Sequence, residues 1–399
     1  LITDVARNPG LLKLDLYCKG MRLDESCHVT DDGGRAVTRT RAGLGSGLEL
    51  VLPDGLHSNV PVVEDFAQRS PYVLKKTNRH YVIHHDDRPV ANVALAPTPG
   101  WYNKKTSSGK LMSRVGTLQG TYLAVYPSRV CDYWLAKPER VNCKFCSVGL
   151  NLGVDDAPEK TVQEILEVAE AAKKESGITY VDFNTGHYAG DEYLDILEPI
   201  IRAVKKELGL LIGVQTPPHH DLNRYHDLRK IGVNRVSFCF EIFDEPTFKA
   251  ICPGKDAQYG LKRYLDAVEF CTGIFDVTNG EIVAGLEPPE SSIAAIDWMT
   301  SKGAIPTVCV FRPLKGTDLQ DAPPPKTEDM IPVFRRMYEA CMENDLAIGV
   351  APNVKVSLVL LPEEGRYFLD DPGKYRIKRL KLAAMRAAFA TAFYSGLKR

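Results

Sequence analysis

The chain has 399 residues, with 50 Lys and Arg against 51 Asp and Glu, for a formal net charge of −1. A hydrophobic share of 44% beside 25% charged residues excludes a disordered chain, and near-neutral charge leaves no electrostatic case for nucleic acid or an anionic membrane as the main partner. At about 150 residues per domain, the length allows two or three domains or one large barrel with extensions.

Leu1–Lys19 carries no long apolar run, so no signal peptide is expected there, and Leu1 in first position points to a trimmed N-terminus. No run of about 18 apolar residues is present, so no membrane span is expected. A reducing, cytoplasmic compartment follows, in which the ten cysteines are expected as core residues, metal ligands or catalytic groups. Residues 1–115 are rich in Gly, Asp and Arg and read as an accessory region of β-hairpins. Leu48–Leu52 and Tyr81–His84 are its clearest strands, and His84 and His85 decorate a hairpin.

Residues 116–345 have a rhythm. Strands are expected at Tyr122–Tyr126, Ile178–Phe183, Leu210–Val214, Arg235–Phe240, Val277–Ala284 and Ile305–Phe311. Helices alternate with them at Thr161–Ser176, Asp191–Leu208, Asp221–Ile231, Ala257–Ile274, Ser291–Lys302 and Thr327–Asn344; glycines 177, 209, 232 and 303 punctuate the series. Six units at intervals of about 30 residues have the size of βα units. Strands that are apolar throughout are covered on both faces, which argues for an α/β fold with a parallel sheet. An open doubly wound sheet and a partial (βα)6 barrel both satisfy this, and both bind ligands at the C-terminal ends of the strands. Pro323–Pro325 is a stiff connector. Residues 346–399 form a C-terminal extension, with a strand expected at Val354–Leu361 and a basic helix at Tyr375–Phe393 whose Lys and Arg read as a solvated face.

Cys131 follows the first strand, and Cys143 and Cys146 form a C-x2-C pair 12 residues on. Three thiolates on one loop can hold three irons of a [4Fe–4S] cluster, leaving the fourth iron open. The alternatives are a structural zinc, which normally closes four ligands, and three unrelated cysteines. Cys239, Cys271, Cys309 and Cys341 each stand alone in an apolar pattern and read as core. Cys18, Cys27 and Cys252 are candidates for an auxiliary cluster. His219 and His220, with Asp221 and His226, follow the third strand as either a second metal site or a turn and helix cap.

With these cysteines at the mouth of six βα units, the chain resembles the radical S-adenosylmethionine (radical SAM) superfamily. That family has a partial (βα)6 TIM-type barrel and a cysteine loop after its first strand, most often C-x3-C-x2-C with an aromatic residue before the last Cys. Phe145, Cys143 and Cys146 match the second half of this pattern; the 11 residues between Cys131 and Cys143 depart from it. The resemblance implies that Asn184, Thr185 and Gly186 meet the methionine amino group of SAM and that Glu241 holds the ribose. Gly280, Ile282, Gly285 and Glu287 stand near the family's adenine-cradling glycine segment, with Phe311 and Arg312 as an adenine-side wall. More distantly, Pro253-Gly254-Lys255 and Arg312-Pro313-Leu314 resemble an uncharacterised bacterial branch found beside nitrilase-type genes.

What the resemblance implies is an enzyme. A [4Fe–4S] cluster reductively cleaves SAM to a 5′-deoxyadenosyl radical, which abstracts hydrogen from a small or medium-sized substrate. A flavodoxin- or ferredoxin-type donor supplies the electron. Transfer of the aminocarboxypropyl or methyl group of SAM is the variant within the class, and a barrel protein with a structural zinc and unrelated activity is the rival outside it. No residue of the chain is singled out as acid or base.

Overall fold

Six parallel strands, paired in sequence order, form the centre of the molecule: β1 (Tyr122–Val125), β2 (Tyr180–Asn184), β3 (Leu211–Gln215), β4 (Arg235–Glu241), β5 (Val277–Ala284) and β6 (Ile305–Val310). An antiparallel strand, Thr117–Gln119, borders β1. The computed structural model describes residues 4–27, 38–39, 46–78 and 80–397.

Local chemistry explains the alternation. Thr161 and Glu164 form a capping box at the start of Val162–Ser176, each side chain bonding the other's backbone N–H, and Gly177 (φ 64°) ends that helix in the left-handed region. Tyr193–Leu208 buries Leu194, Leu197, Ile200, Ile201 and Val204 on one face. Two short helices, Glu245–Ile251 and Pro253–Gln258, precede Gly260–Cys271 between β4 and β5, where the sequence pattern predicts a single helix from Ala257.

The sheet curls because its two faces differ. The outward residues of the strands, such as Val181, Ile212, Val236, Phe238 and Ile282, join the main core under the helices. The inward face is polar. Arg235 of β4 reaches Asn279 (2.6 Å) and Glu281 (2.9 Å) on β5, and Asp182 (3.1 Å) and the Tyr180 hydroxyl (3.2 Å) on β2. A side chain that bonds across two intervening ladders requires a concave sheet, and the fold is a partial (βα)6 barrel.

Val354–Leu361 is not a strand. It runs as coil with no ladder, because it lies across strand ends and not along an edge. Thr121 N–H donates to the Lys355 carbonyl (2.9 Å), and the Thr179 hydroxyl donates to the Pro352 carbonyl (2.7 Å), both just before β1 and β2 begin. Val354 and Val356 pack on Tyr122, Tyr180 and Leu211. The segment therefore covers the N-terminal end of the barrel, opposite the cysteine loop.

The accessory region holds antiparallel strands at Ser46–Leu52, Leu56–Val60, Tyr72–Thr77, His80–His85 and Arg88–Leu95. It also holds a helix, Pro9–Lys19, that hairpin reading misses. Leu11, Leu14 and Tyr17 enter the barrel core, while Leu12 and Leu16 enter the core of the accessory sheet. Buried Lys13 pairs with Glu364 (2.7 Å). With apolar residues on several sides the helix has no amphipathic stripe to detect. The basic helix, Arg376–Gly396, buries no residue. Among the described residues no helix is long and apolar enough to cross a membrane.

Candidate active site

The loop after β1 places Cys131, Cys143 and Cys146 on the wall of one cavity of about 890 Å³, open to solvent at the C-terminal ends of the strands. All three thiols are free. Each part of the loop is tied to a different side of the barrel. The Cys131 sulfur accepts a bond from His187 N–H (3.3 Å), and Asp132 N–H donates to the His187 carbonyl (2.9 Å), after β2. Lys144 N–H donates to the Ile251 carbonyl (3.0 Å), after β4. Leu319 N–H, after β6, donates to the Lys144 carbonyl (3.2 Å). The 11-residue gap gives the loop enough chain to reach across the mouth.

Two glycines permit this packing. A Cβ on Gly186 would lie 2.5 Å from the Cys131 Cβ, and one on Gly254 would lie 2.6 Å from the Val141 carbonyl oxygen. Gly254 N–H bonds that carbonyl (2.9 Å), so the Pro253-Gly254-Lys255 stretch both holds the cysteine loop and delivers Lys255 to the cavity.

Glu241 lines the cavity in an unusual posture. The β4–β5 register shifts between Cys239 and Glu241, and Glu241 has φ 68°. Such a bulge re-aims a side chain. Glu241 meets Lys255 at 2.6 Å, and Lys255 also donates to the Cys239 carbonyl at 2.5 Å. Burial pushes the Glu241 carboxyl above its ordinary range against the pull of Lys255. Burial alone would lower Lys255, but Glu241 and the nearby thiols hold it well above the ordinary amine range.

The cysteines differ electrostatically. Burial pushes Cys131 up to about 11 and Cys146 up to about 12. The thiol of Cys252 bonds Cys143 and, with Lys255, lowers it.

Of the residues singled out from the sequence, Phe145, Asn184, Thr185, Gly186 and Glu241 line the cavity with the cysteine trio. Five others are placed elsewhere. Ile282 points into the outer core. A Cβ on Gly285 would abut Pro325. Glu287 is buried and accepts from Phe243 N–H (2.9 Å) and Asp244 N–H (2.8 Å), a structural brace for the loop after β4. Phe311 is core, and Arg312 turns toward the accessory sheet, donating to Asn59 (2.7 and 3.0 Å) and covering the Tyr17 ring. Cys18, Cys27 and Cys252 are not grouped: Cys18 is in the N-terminal helix, Cys27 donates to the Leu74 carbonyl (3.2 Å), and Cys252 lies beside Cys143.

The sequence pattern missed Lys255, Gln215, Glu281, Cys239 and Cys309, which all line the cavity. Cys239 and Cys309 are thus not simply core; Cys271 and Cys341 are. The available signal was a period of two: Ser237, Cys239 and Glu241 on β4, Asn279 and Glu281 on β5, and Thr307 and Cys309 on β6 are the inward series of otherwise apolar strands.

The cavity also contains polar atoms without partners. Tyr133, Trp134 and Asn142, all lining it, bury a hydroxyl, an indole N–H and an amide oxygen that bond nothing. Buried polar groups are normally paired, so these three fit a site built to receive a polar ligand.

Comparison with known proteins agrees. Over 262 residues the chain is 27% identical to the bacteriochlorophyllide c C-7(1)-hydroxylase of Chlorobaculum limnaeum, covering 60% of this chain and 64% of that protein. It is 24% identical to an uncharacterised protein of Methanocaldococcus jannaschii over 219 residues, 49% of this chain and 55% of that one. The chain thus spans less than two thirds of either curated relative. Among solved structures, methylornithine synthase superposes with a TM-score of 0.44 at 21% identity, over 55% of this chain and 62% of that one. The sequence model of the radical SAM superfamily matches residues 140–299, from within the cysteine loop to the helix after β5.

Proposed function

We propose that the chain is a radical SAM enzyme whose [4Fe–4S] cluster is held by Cys131, Cys143 and Cys146. The observation that carries the reading is the convergence of three free thiols on one cavity at the C-terminal end of a parallel barrel. Zinc fits this loop less well. Among the described residues the group of three whose donor atoms all close within 4.8 Å is Asp191, His219 and His220; the cysteine trio is spread more widely than the roughly 3.8 Å edge of a zinc–thiolate tetrahedron.

When bound, the cluster and SAM supply one-electron cleavage of the sulfonium and hydrogen abstraction from the substrate. The chain's own residues orient and enclose. Asn184, Thr185 and Gly186, held against Cys131, are the segment for the methionine end of SAM. Glu241, fixed by Lys255, is the acceptor for ribose hydroxyls. Phe145 supplies apolar wall beside the cysteines. The unpaired groups of Tyr133, Trp134 and Asn142 are available to the polar parts of SAM or substrate. SAM and a small or medium-sized substrate share this open cavity in the reading. A flavodoxin- or ferredoxin-type protein is the electron donor in this reading.

Anaerobic reconstitution followed by iron, sulfide and product analysis tests it. Wild type is expected to hold four irons per chain and to release 5′-deoxyadenosine from SAM under reduction, and Cys143→Ala to lose both. A Cys143→Ala protein with a full cluster and undiminished 5′-deoxyadenosine would end this reading.

A further inference from the structure

We propose that Asp191, His219 and His220 form a second metal site, for a single divalent first-row transition ion, at the rim of the cavity. Their ligand atoms lie within 4.8 Å of one another. Two imidazoles and one carboxylate suit Zn²⁺ or Fe²⁺ and leave coordination positions open, the pattern of a catalytic and not a closed structural site.

The three residues come from the loops after β2 and β3, and both loops touch the cavity. His187, four residues before Asp191, and Pro217, two before His219, line it. Tyr259 connects the two places: its hydroxyl donates to Asp191 Oδ1 (3.0 Å) and meets His187 Nδ1 (2.8 Å). An ion held here is one hydrogen-bonded side chain from the cavity wall.

The backbone around the site is held partly by the ligand Asp191, whose Oδ2 accepts His220 N–H (2.8 Å), and partly by neighbouring groups. His219 N–H donates to the Tyr225 hydroxyl (3.1 Å), which donates to the Pro217 carbonyl (3.0 Å). Arg263 donates to the carbonyls of His219 and His220, 2.6 Å each. His219 Nδ1 accepts from Asp221 N–H (2.9 Å) and lies 3.0 Å from the Asp221 carbonyl; the tautomer that donates Nδ1–H to that carbonyl leaves Nε2 free for an ion. Asp191 and His219 are buried, and the His220 side chain is 73% exposed, which leaves an entry route from solvent. Without an ion, His220 Nδ1 bonds Asp191 Oδ2 at 2.9 Å, and its ring stacks on His219 at 4.3 Å. Binding replaces that hydrogen bond and turns the exposed His220 ring away from its neighbour.

The test uses the full chain, anaerobic and cluster-loaded, with Zn²⁺ as probe. Zinc, iron and sulfide are counted on the same dialysed samples, and zinc affinity is measured by chelator competition. One tightly held zinc per wild-type chain is expected. Asp191→Asn and His219→Ala are expected to weaken it by about 100-fold or more, taking the upper end of outer-contact losses as the floor for a ligand. His226→Ala, on the following helix but outside the trio, is expected to bind as wild type does. His220→Ala removes an exposed ligand without touching the core, so its loss of zinc cannot come from misfolding. Zinc should also raise the melting temperature of wild type and not of His220→Ala. No zinc retained by wild type, or equal affinity in wild type and His220→Ala, overturns the proposal. Zinc lost in Cys143→Ala but not in His219→Ala overturns it too, and at the same time points against the cluster reading; iron content separates the two failures.

Discussion

Replacing Lys255 by Met removes the positive half of the cavity's ion pair and leaves Glu241 facing thiols and apolar walls. The pair is tight, at 2.6 Å, and its side chains are only 12% and 14% exposed. Breaking a buried pair on one side costs about 3–5 kcal/mol, and the residual exposure places this one near 3 kcal/mol. The sign with pH follows from Glu241. Burial already raises its carboxyl above 4.5, and Lys255 is the main force opposing that rise. Without Lys255 the folded chain binds a proton that the unfolded chain releases, so the loss is largest at high pH and shrinks as pH falls through the raised value. Urea unfolding of the cluster-free protein, followed by tryptophan fluorescence at pH 8 and pH 5.5, measures it. Glu241→Gln and the double variant complete a cycle. Lys255→Met should cost about 3 kcal/mol at pH 8 and clearly less at pH 5.5, with the double variant recovering more than 1 kcal/mol of the sum. A cost below about 1 kcal/mol at pH 8, the range of a surface pair, or simple additivity would refute the reasoning.

Other consequences are equally direct. Gly186→Ala drives a Cβ to 2.5 Å from Cys131; overpacking of this kind costs about 1–3 kcal/mol, and reduced iron per chain after reconstitution is expected beside a lowered melting temperature. Arg235→Met strands Asp182 and Glu281 on the inner face and should destabilise by about 3–5 kcal/mol in denaturant titration. Burial pushes Glu49, which accepts from Ser357 and Asn59, up to about 7. The folded chain therefore keeps a proton that the unfolded chain gives up near 4.5, and stability should fall by up to ~3 kcal/mol as pH rises between those values. Glu49→Gln should flatten that slope in melting curves recorded across it.

The barrel was legible because its signals are local. The Thr161–Glu164 box, the glycines after helices and the apolar stripe of Tyr193–Leu208 are written within a few residues of where they act. The cysteine trio was legible for the same reason. Lys255 was not: its role depends on Gly254 meeting Val141, more than a hundred residues earlier, and on a bulge that turns Glu241 inward. Arg312 misled because a residue at the end of a strand points to whichever side its neighbours leave open, and here the accessory sheet offers it Asn59. The helix Pro9–Lys19 was hidden by its own burial between two cores.

The coil that crosses beneath β1 and β2 has a kinetic meaning. With Val354 and Val356 packed on the strand starts and Arg235 bound across the lumen above them, the described residues cover the rear of the barrel beneath β1, β2 and β3. In the proposed reading, SAM and substrate enter and leave at the C-terminal ends of the strands, past the loop that carries Cys131, Cys143 and Cys146. If SAM and substrate share that opening, as the proposed function has it, bound cofactor and its fragments obstruct substrate entry and product departure. A shared opening of this kind favours an order of addition and release, so the slow event in turnover is expected to be clearance of the opening, visible as a burst of first-turnover product ahead of a slower steady state.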